Sequence, residues 1–155
     1  MKDSKQWLLI EQIDRKLESA KGLDTKIIPP ANGWVKGIRT ALKMSLRQLG
    51  ERLKKSPQNV KAIEGREMTG AITINTLRDV ARALDMKFVY AFVPKDLSLE
   101  EMIEKRAKEM AREIVQRTSN TMMLEDQQNS NERLERAIQD KTEEIKNAMP
   151  KYLWD

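Results

Sequence analysis

One stretch of nineteen residues restricts the possible fold of this chain more than any other feature does. Residues 45 to 63, SLRQLGERLKKSPQNVKAI, place apolar side chains at helical spacing on both sides of a short polar break. Ser45 and Gln48 form a capping-box pattern that starts one helix. Ser56 and Pro57 suit the N-cap and first position of the next helix. The stretch therefore predicts two short helices joined by a tight turn.

The remaining pattern is also mainly helical, since aromatic residues are 5% of the chain and charged residues 34%. Such a composition favours amphipathic helices over sheets. The run FVYAFVP reads instead as a short β-strand, because it is β-branched and aromatic and ends at proline. We predict a mainly α fold, with helices over 4–20, 34–43, 45–53, 73–84, 98–118 and 132–148, a further helix that begins at the Ser56 cap, and one strand over 88–94. In the second of these helices, Ile38 and Leu42 are expected to be buried.

Changes in composition divide the chain into three predicted regions. These are an N-terminal helix and linker over 1–33, a helix-turn-helix domain with the short strand over 34–97, and a helical extension over 98–155. The chain has no cysteine, its first apolar stretch contains acids, and no stretch is long and apolar enough for a membrane span. We therefore expect a cytoplasmic protein that does not enter the membrane.

Residue types weigh against catalysis. The chain has no histidine, the commonest general acid or base near neutral pH and the commonest transition-metal ligand. Adjacent carboxylates such as Glu143 and Glu144 are better explained as solvated surface charge. We expect no enzyme activity, no catalytic residues, no cofactor and no metal site, although the carboxylates keep an enzyme as a weak third interpretation.

Positive charge is concentrated on the predicted helix-turn-helix. Residues 34 to 66 carry nine Lys and Arg against two Asp and Glu, whereas residues 98 to 155 are net acidic. A basic excess on a groove-reading motif indicates a polyanionic partner, double-stranded DNA above all. The alternative is a plain four-helix bundle with a basic face.

A recognition helix needs small residues where helices cross, a capped start and polar side chains on its outward face. Gly50 and Ser56 supply the first two. Gln58 and Asn59 can pair with adenine edges, and Ala62 can meet a thymine methyl group. The predicted DNA-binding residues are Arg39, Arg47, Gln48, Lys54, Lys55, Ser56, Pro57, Gln58, Asn59, Lys61, Ala62 and Arg66, with the arginines and turn lysines mainly on phosphates.

The segment from 34 to 86 resembles the Cro/repressor-type helix-turn-helix family, including the fourth-helix pattern TINTLRDVARALDM. It departs from that family at four points in the motif. Leu46 stands where the family tends to carry Gln, Lys54 where it favours Gly, and Lys55 where an apolar residue is usual. The Glu-x-Gly ending is altered to Glu64-Gly65. One recognition helix reads only a few base pairs, so we expect a homodimer on a two-fold operator.

The patterns ITINTLRDVARALDMKFVYAFVP, TMMLEDQ and LWD resemble the mobile mystery protein A family, whose members typically accompany a Fic-domain protein. Fic enzymes commonly transfer AMP, and their inhibitors share a helix of pattern S/T-x-x-x-E-G/N. The resemblance implies that the residues from Thr121 to Glu125 block such a partner, although Asp126 departs from the pattern. Packing of Met122, Met123 and Leu124 on the preceding helix remains the alternative. The implied inhibitory residues are Thr121, Met122, Leu124, Glu125 and Asp126.

Together these features predict an antitoxin-like transcriptional regulator. Its helix-turn-helix would repress its own operon, and its C-terminal helix would inhibit a Fic-type AMP transferase, with Glu125 pairing with an arginine that otherwise holds ATP. The alternative is a stand-alone dimeric repressor whose C-terminal helices only dimerise.

Overall fold

The computed structural model describes residues 3–122 and 131–155. All regular elements in these ranges are helical. They are α1 (Ser4–Ser19), α2 (Leu23–Lys26), α3 (Trp34–Ala41), α4 (Leu46–Leu53), α5 (Pro57–Thr69), α6 (Ile74–Ala83), α7 (Leu99–Met122), α8 (Asn131–Ala148) and a short 3-10 helix (Lys151–Trp154).

The chain divides into two compact units. The central unit is the continuous stretch Gly22–Ala91, and the terminal unit combines the described residues of Met1–Lys21 and Phe92–Asp155. Each unit has its own cluster of buried apolar side chains. The sequence predicted regions ending at 33 and 97, and those limits stay predictions.

The central unit packs α3 to α6 around one small core. α4 contacts α5 and α6, and α3 contacts α5. The predicted caps at the starts of α4, α5 and α6 are confirmed, because Ser45, Ser56 and Thr73 each accept a hydrogen bond from the backbone N–H three residues on. The core side chains are Val35, Leu49, Val60, Ile63, Val80 and Leu84.

One core prediction for α3 is wrong. Leu42 is 57% exposed, and Val35 is the residue of this helix that lies in the core. α3 ends at Ala41, so Leu42 has already left the helical repeat on which its predicted burial depended. Ile38 packs at the edge of the core, as the spacing suggested.

The predicted β-strand is absent, and over the described residues the fold is all-α rather than mainly α with one strand. Residues 88 to 94 have neither helical nor strand structure. β-propensity alone does not make a strand, because its N–H and C=O groups need a paired neighbour. Neither described range contains a strand that could pair with this segment. Val89, Tyr90 and Phe92 are each more than half exposed.

The terminal unit is built on α7. α8 packs along α7, and α1 and the 3-10 helix also contact it. The core includes Ile10 of α1, Ile103 and two fully buried alanines of α7, and Leu153. The apolar stripe of α8 is buried at Ile138 and Ile145 within the same chain.

Polar contacts between residues distant in the chain hold this unit together. The Asp14 carboxylate accepts hydrogen bonds from the backbone N–H groups of Leu99 at 2.7 Å and Glu100 at 3.3 Å, and thereby caps α7. Arg106 donates from Nε to the Leu153 carbonyl at 2.6 Å. The amphipathic N-terminal helix α1 therefore has α7 as its packing partner.

Candidate nucleic-acid interface

The turn between α4 and α5 depends on one glycine and one left-handed lysine. Lys54 ends α4 with φ 57° and ψ 43°, the left-handed conformation that glycine adopts most easily. The Lys55 N–H donates to the Gly50 carbonyl at 2.8 Å. A Cβ at Gly50 would lie 2.5 Å from the Lys55 carbonyl oxygen, so only glycine fits this crossing. Both lysines of the turn are exposed.

The start of α5 is fixed by its own first residues. Ser56 Oγ accepts a hydrogen bond from the Asn59 N–H at 3.1 Å, and Pro57 occupies the first helical position. Because residues repeat every 3.6 positions, burial of Val60, Ile63 and Glu64 turns the opposite side of α5 outward. The residues on that outward face are Gln58, Asn59, Lys61, Ala62, Gly65, Arg66 and Thr69, all of them exposed.

Both carboxylates of α5 lie away from the outward face. Glu64 is buried and pairs with Arg39, with 2.8 Å between Arg39 Nη2 and Glu64 Oε1. Glu67 accepts hydrogen bonds from the backbone N–H groups of Trp34 at 2.7 Å and Val35 at 2.9 Å, and so caps α3. The outward face of α5 is left with only neutral residues and the two cations Lys61 and Arg66. No carboxylate in the described ranges pairs with either cation.

Arg39 has a structural role that the sequence did not indicate. Its side chain is 11% exposed. The guanidinium donates from Nε and Nη2 to the Glu64 carboxylate, and from Nη1 to the Met44 carbonyl. We predicted that Arg39 binds phosphate, but its donors are directed into the protein. The Arg39 side chain therefore supports α5 from inside the unit.

The side chains on α4 are partly engaged with one another. Gln48 Oε1 accepts a hydrogen bond from the Ser45 N–H at 2.8 Å, which completes the capping box. Arg47 is exposed and pairs with Glu51 one turn further on. Both side chains are at the surface, and each would have to exchange or share an existing partner to contact a ligand.

Two residues of the outward face were missing from the predicted set. Gly65 and Thr69 follow Gln58 by seven and eleven positions, which places them on the same side of the helix. α5 continues to Thr69, so both residues lie within the helix. The i+7 and i+11 spacing is the signal that could have identified them.

The predicted inhibitory motif falls at the limit of the described chain. The backbone of Thr121 and Met122 forms the last residues of α7. Leu124, Glu125 and Asp126 lie outside the described residues. The structural role of the motif therefore stays a prediction.

The described residues contain no group of three or more Asp, Glu, His or Cys side chains placed to hold a metal ion. None of the helices within 3–122 and 131–155 is both long and apolar enough to cross a bilayer. Searches of protein-family models, curated proteins and solved structures found nothing that matches this chain. The resemblance to the mobile mystery protein A family accordingly stays a prediction.

Proposed function

We propose that this protein is a DNA-binding regulator that reads a duplex with the outward face of α5. The observation that carries this proposal is that both α5 carboxylates are engaged away from the outward face, with Glu64 buried against Arg39 and Glu67 half-buried at the start of α3, which leaves cations and amides exposed. A helix with neutral polar residues in its first turn and cations around them has the chemistry that base edges and phosphates require. Gln58 and Asn59 read bases, and Lys54, Lys55 and Lys61 contact phosphates.

A salt titration tests the phosphate contacts. Binding of a fluorescent duplex of about 21 base pairs, two helical turns, is followed by anisotropy at several salt concentrations. The logarithm of affinity should fall with the logarithm of salt, with a slope of about −0.9 for each phosphate neutralised. Lys61→Ala should lower affinity for every duplex and flatten the slope by about 1. A salt-independent affinity would contradict the proposal.

The matched control is Lys105→Ala, which removes the same charge from the exposed side of α7 in the terminal unit. It should leave both affinity and slope unchanged. Gln58→Ala should act differently from Lys61→Ala, changing the preferred bases in a selection from random duplexes. Equal loss on all sequences for both variants would remove the base-reading role of Gln58.

The proposal has a second part, that the chain acts as an antitoxin-like inhibitor of a Fic-type AMP transferase. It is supported by the sequence motif from Thr121 to Glu125 alone. A tagged full-length chain should capture a purified Fic-domain partner and suppress its AMP transfer. Glu125→Ala should release that activity, whereas Glu132→Ala, at the exposed start of α8, should not. Full suppression by Glu125→Ala would contradict the inhibitory role of Glu125, and failure to capture the partner would leave the stand-alone repressor.

Dimerisation is also part of the proposal, because a single α5 spans only a few base pairs. On a duplex with two half-sites one helical turn apart, light scattering should give a complex with the mass of two chains and one duplex. A single bound chain at saturation would contradict the two-fold arrangement.

A further inference from the structure

Gly65 is the glycine that the fold itself does not require. It lies inside α5 with no positive φ, and a Cβ built there would meet nothing within 4 Å. Each of the other glycines has either a positive φ or a neighbour within 3.2 Å of the added Cβ. These are Gly22, Gly33 and Gly70 by their φ, and Gly37 and Gly50 by their neighbours Pro30 and Lys55.

A glycine in such a position weakens its helix. It loses more backbone freedom on folding than alanine does, and it adds no side-chain contact in return. Alanine would fit Gly65 without strain, since the position is helical and open. Packing within the chain therefore does not explain why this position is glycine. A close contact with another molecule would explain it.

The surroundings of Gly65 indicate what that molecule is. Gly65 lies one turn after Lys61 and directly before Arg66, on the outward face of α5. Both cations are exposed, and neither pairs with a carboxylate among the described residues. Gly65 is eight residues beyond Pro57, about 12 Å along the helix axis. The major groove is about 12 Å wide and about 8.5 Å deep, so a residue this far along a helix whose first turn enters the groove is about level with the sugar-phosphate backbone.

We propose that one strand of a DNA duplex passes directly over Gly65, in contact with its Cα, while Lys61 and Arg66 hold phosphates on either side. This inference rests on the proposed DNA-binding function and adds a close approach of the two backbones. A Cβ at this position would push the strand away from the helix. Both cations would then lose part of their contact with phosphate.

The test uses the full-length chain and the variant Gly65→Ala. Its melting temperature should rise by about 2 to 6 °C, because alanine is the better helix former. Its affinity for the mixed-sequence duplex of about 21 base pairs should fall about tenfold, equal to about 1.4 kcal/mol. The loss should be similar on all sequences, because the contact is with the DNA backbone. Gly65→Leu should bind more weakly still.

The matched control is Asn75→Ala, which introduces alanine at an exposed position of α6. It should change melting temperature only slightly and leave affinity unchanged. If wild type binds the duplex with the expected salt dependence and Gly65→Ala binds equally well, the close approach at Gly65 is disproved while DNA binding stands. If wild type shows no salt-dependent binding, the proposed function itself fails.

Discussion

The two units of this chain differ in how far apart in sequence a helix and its capping residue lie. In the central unit, α4, α5 and α6 are each capped by the residue that precedes them, with the hydroxyl accepting from an N–H three positions on, and α3 is capped by Glu67, 33 positions after Trp34. In the terminal unit, α7 also receives a cap from Asp14, 85 positions before Leu99. Local caps form wherever the right residues are adjacent, whereas a remote cap needs the tertiary fold first. The stability of the helix ends in the terminal unit should accordingly depend more on substitutions far away in sequence.

The Arg39–Glu64 pair is the strongest exception within the central unit, since its partners lie 25 positions apart and both are nearly buried. Glu64→Ala leaves the Arg39 guanidinium buried without its carboxylate. We expect the free energy of unfolding to fall by about 3 to 5 kcal/mol, measured by urea denaturation. Hydrogen exchange should show the loss in α3 and α5 and not in α8.

Glu51→Ala is the matched control, because it breaks an ion pair on the exposed side of α4 whose partners are 66% and 64% exposed. Its effect should stay within about 0.5 kcal/mol. Equal effects of the two variants would mean that the buried pair contributes no more than a surface pair. The remote Arg39–Glu64 contact would then contribute no more to the stability of the central unit than the local Arg47–Glu51 contact.

Asp14→Ala tests the remote cap of the terminal unit directly. Two N–H groups at the start of α7 lose their acceptor, so the free energy of unfolding should fall by about 1 kcal/mol. Hydrogen exchange should increase at the first turn of α7, 85 positions from the substitution. Glu18→Ala, on the exposed side of α1, should leave this turn unchanged. The start of α7 also has a local cap, in which Ser98 Oγ accepts a hydrogen bond from the Glu101 N–H at 3.2 Å. Unchanged protection of this turn in Asp14→Ala would show that the Ser98 cap is sufficient.

Lys54→Gly should have the smallest effect on stability and the opposite sign. Glycine adopts the left-handed φ of 57° without a Cβ penalty, so unfolding should cost about 0.5 kcal/mol more. Lys55→Gly, one position on, has no such strain to relieve and should destabilise the turn. Thermal melts of the two variants make the comparison, and a loss of stability in Lys54→Gly would show that the lysine is not strained.

The helix starts were predictable because their signals are contained in four consecutive residues. Ser45 with Gln48, and Ser56 with Pro57, carry the whole cap in the local sequence. The strand predicted for FVYAFVP was wrong because a local preference for extended structure does not supply a paired neighbour, and the described residues contain no strand. A strand is a property of two segments, and one segment can show only half of it.

In the candidate interface, the exposure of residues could be predicted from the sequence, but their hydrogen-bond partners could not. Exposure of Gln58, Asn59 and Lys61 follows from the apolar spacing of α5, which sequence alone displays. The role of Arg39 could not be predicted, because its charge suggested phosphate and its position opposite Glu64 depends on how α3 packs on α5. Periodicity also places Glu64 and Glu67 on the inner side of α5. Their hydrogen-bond donors, the Arg39 guanidinium and the backbone N–H groups of Trp34 and Val35, are brought there by tertiary packing.

The discontinuous make-up of the terminal unit has a consequence for synthesis in the cell. α1 leaves the ribosome before α7 does. Asp14 of α1 accepts a hydrogen bond that caps α7, so this contact cannot form until Leu99 has been translated. At about 5 to 20 residues per second that interval lasts several seconds, long enough for a small helical domain to fold. The stretch Gly22–Ala91 is thus complete and free to fold while the segment before it still awaits its partner. During those seconds the apolar side of α1 is open to chaperones, to neighbouring nascent chains or to early degradation.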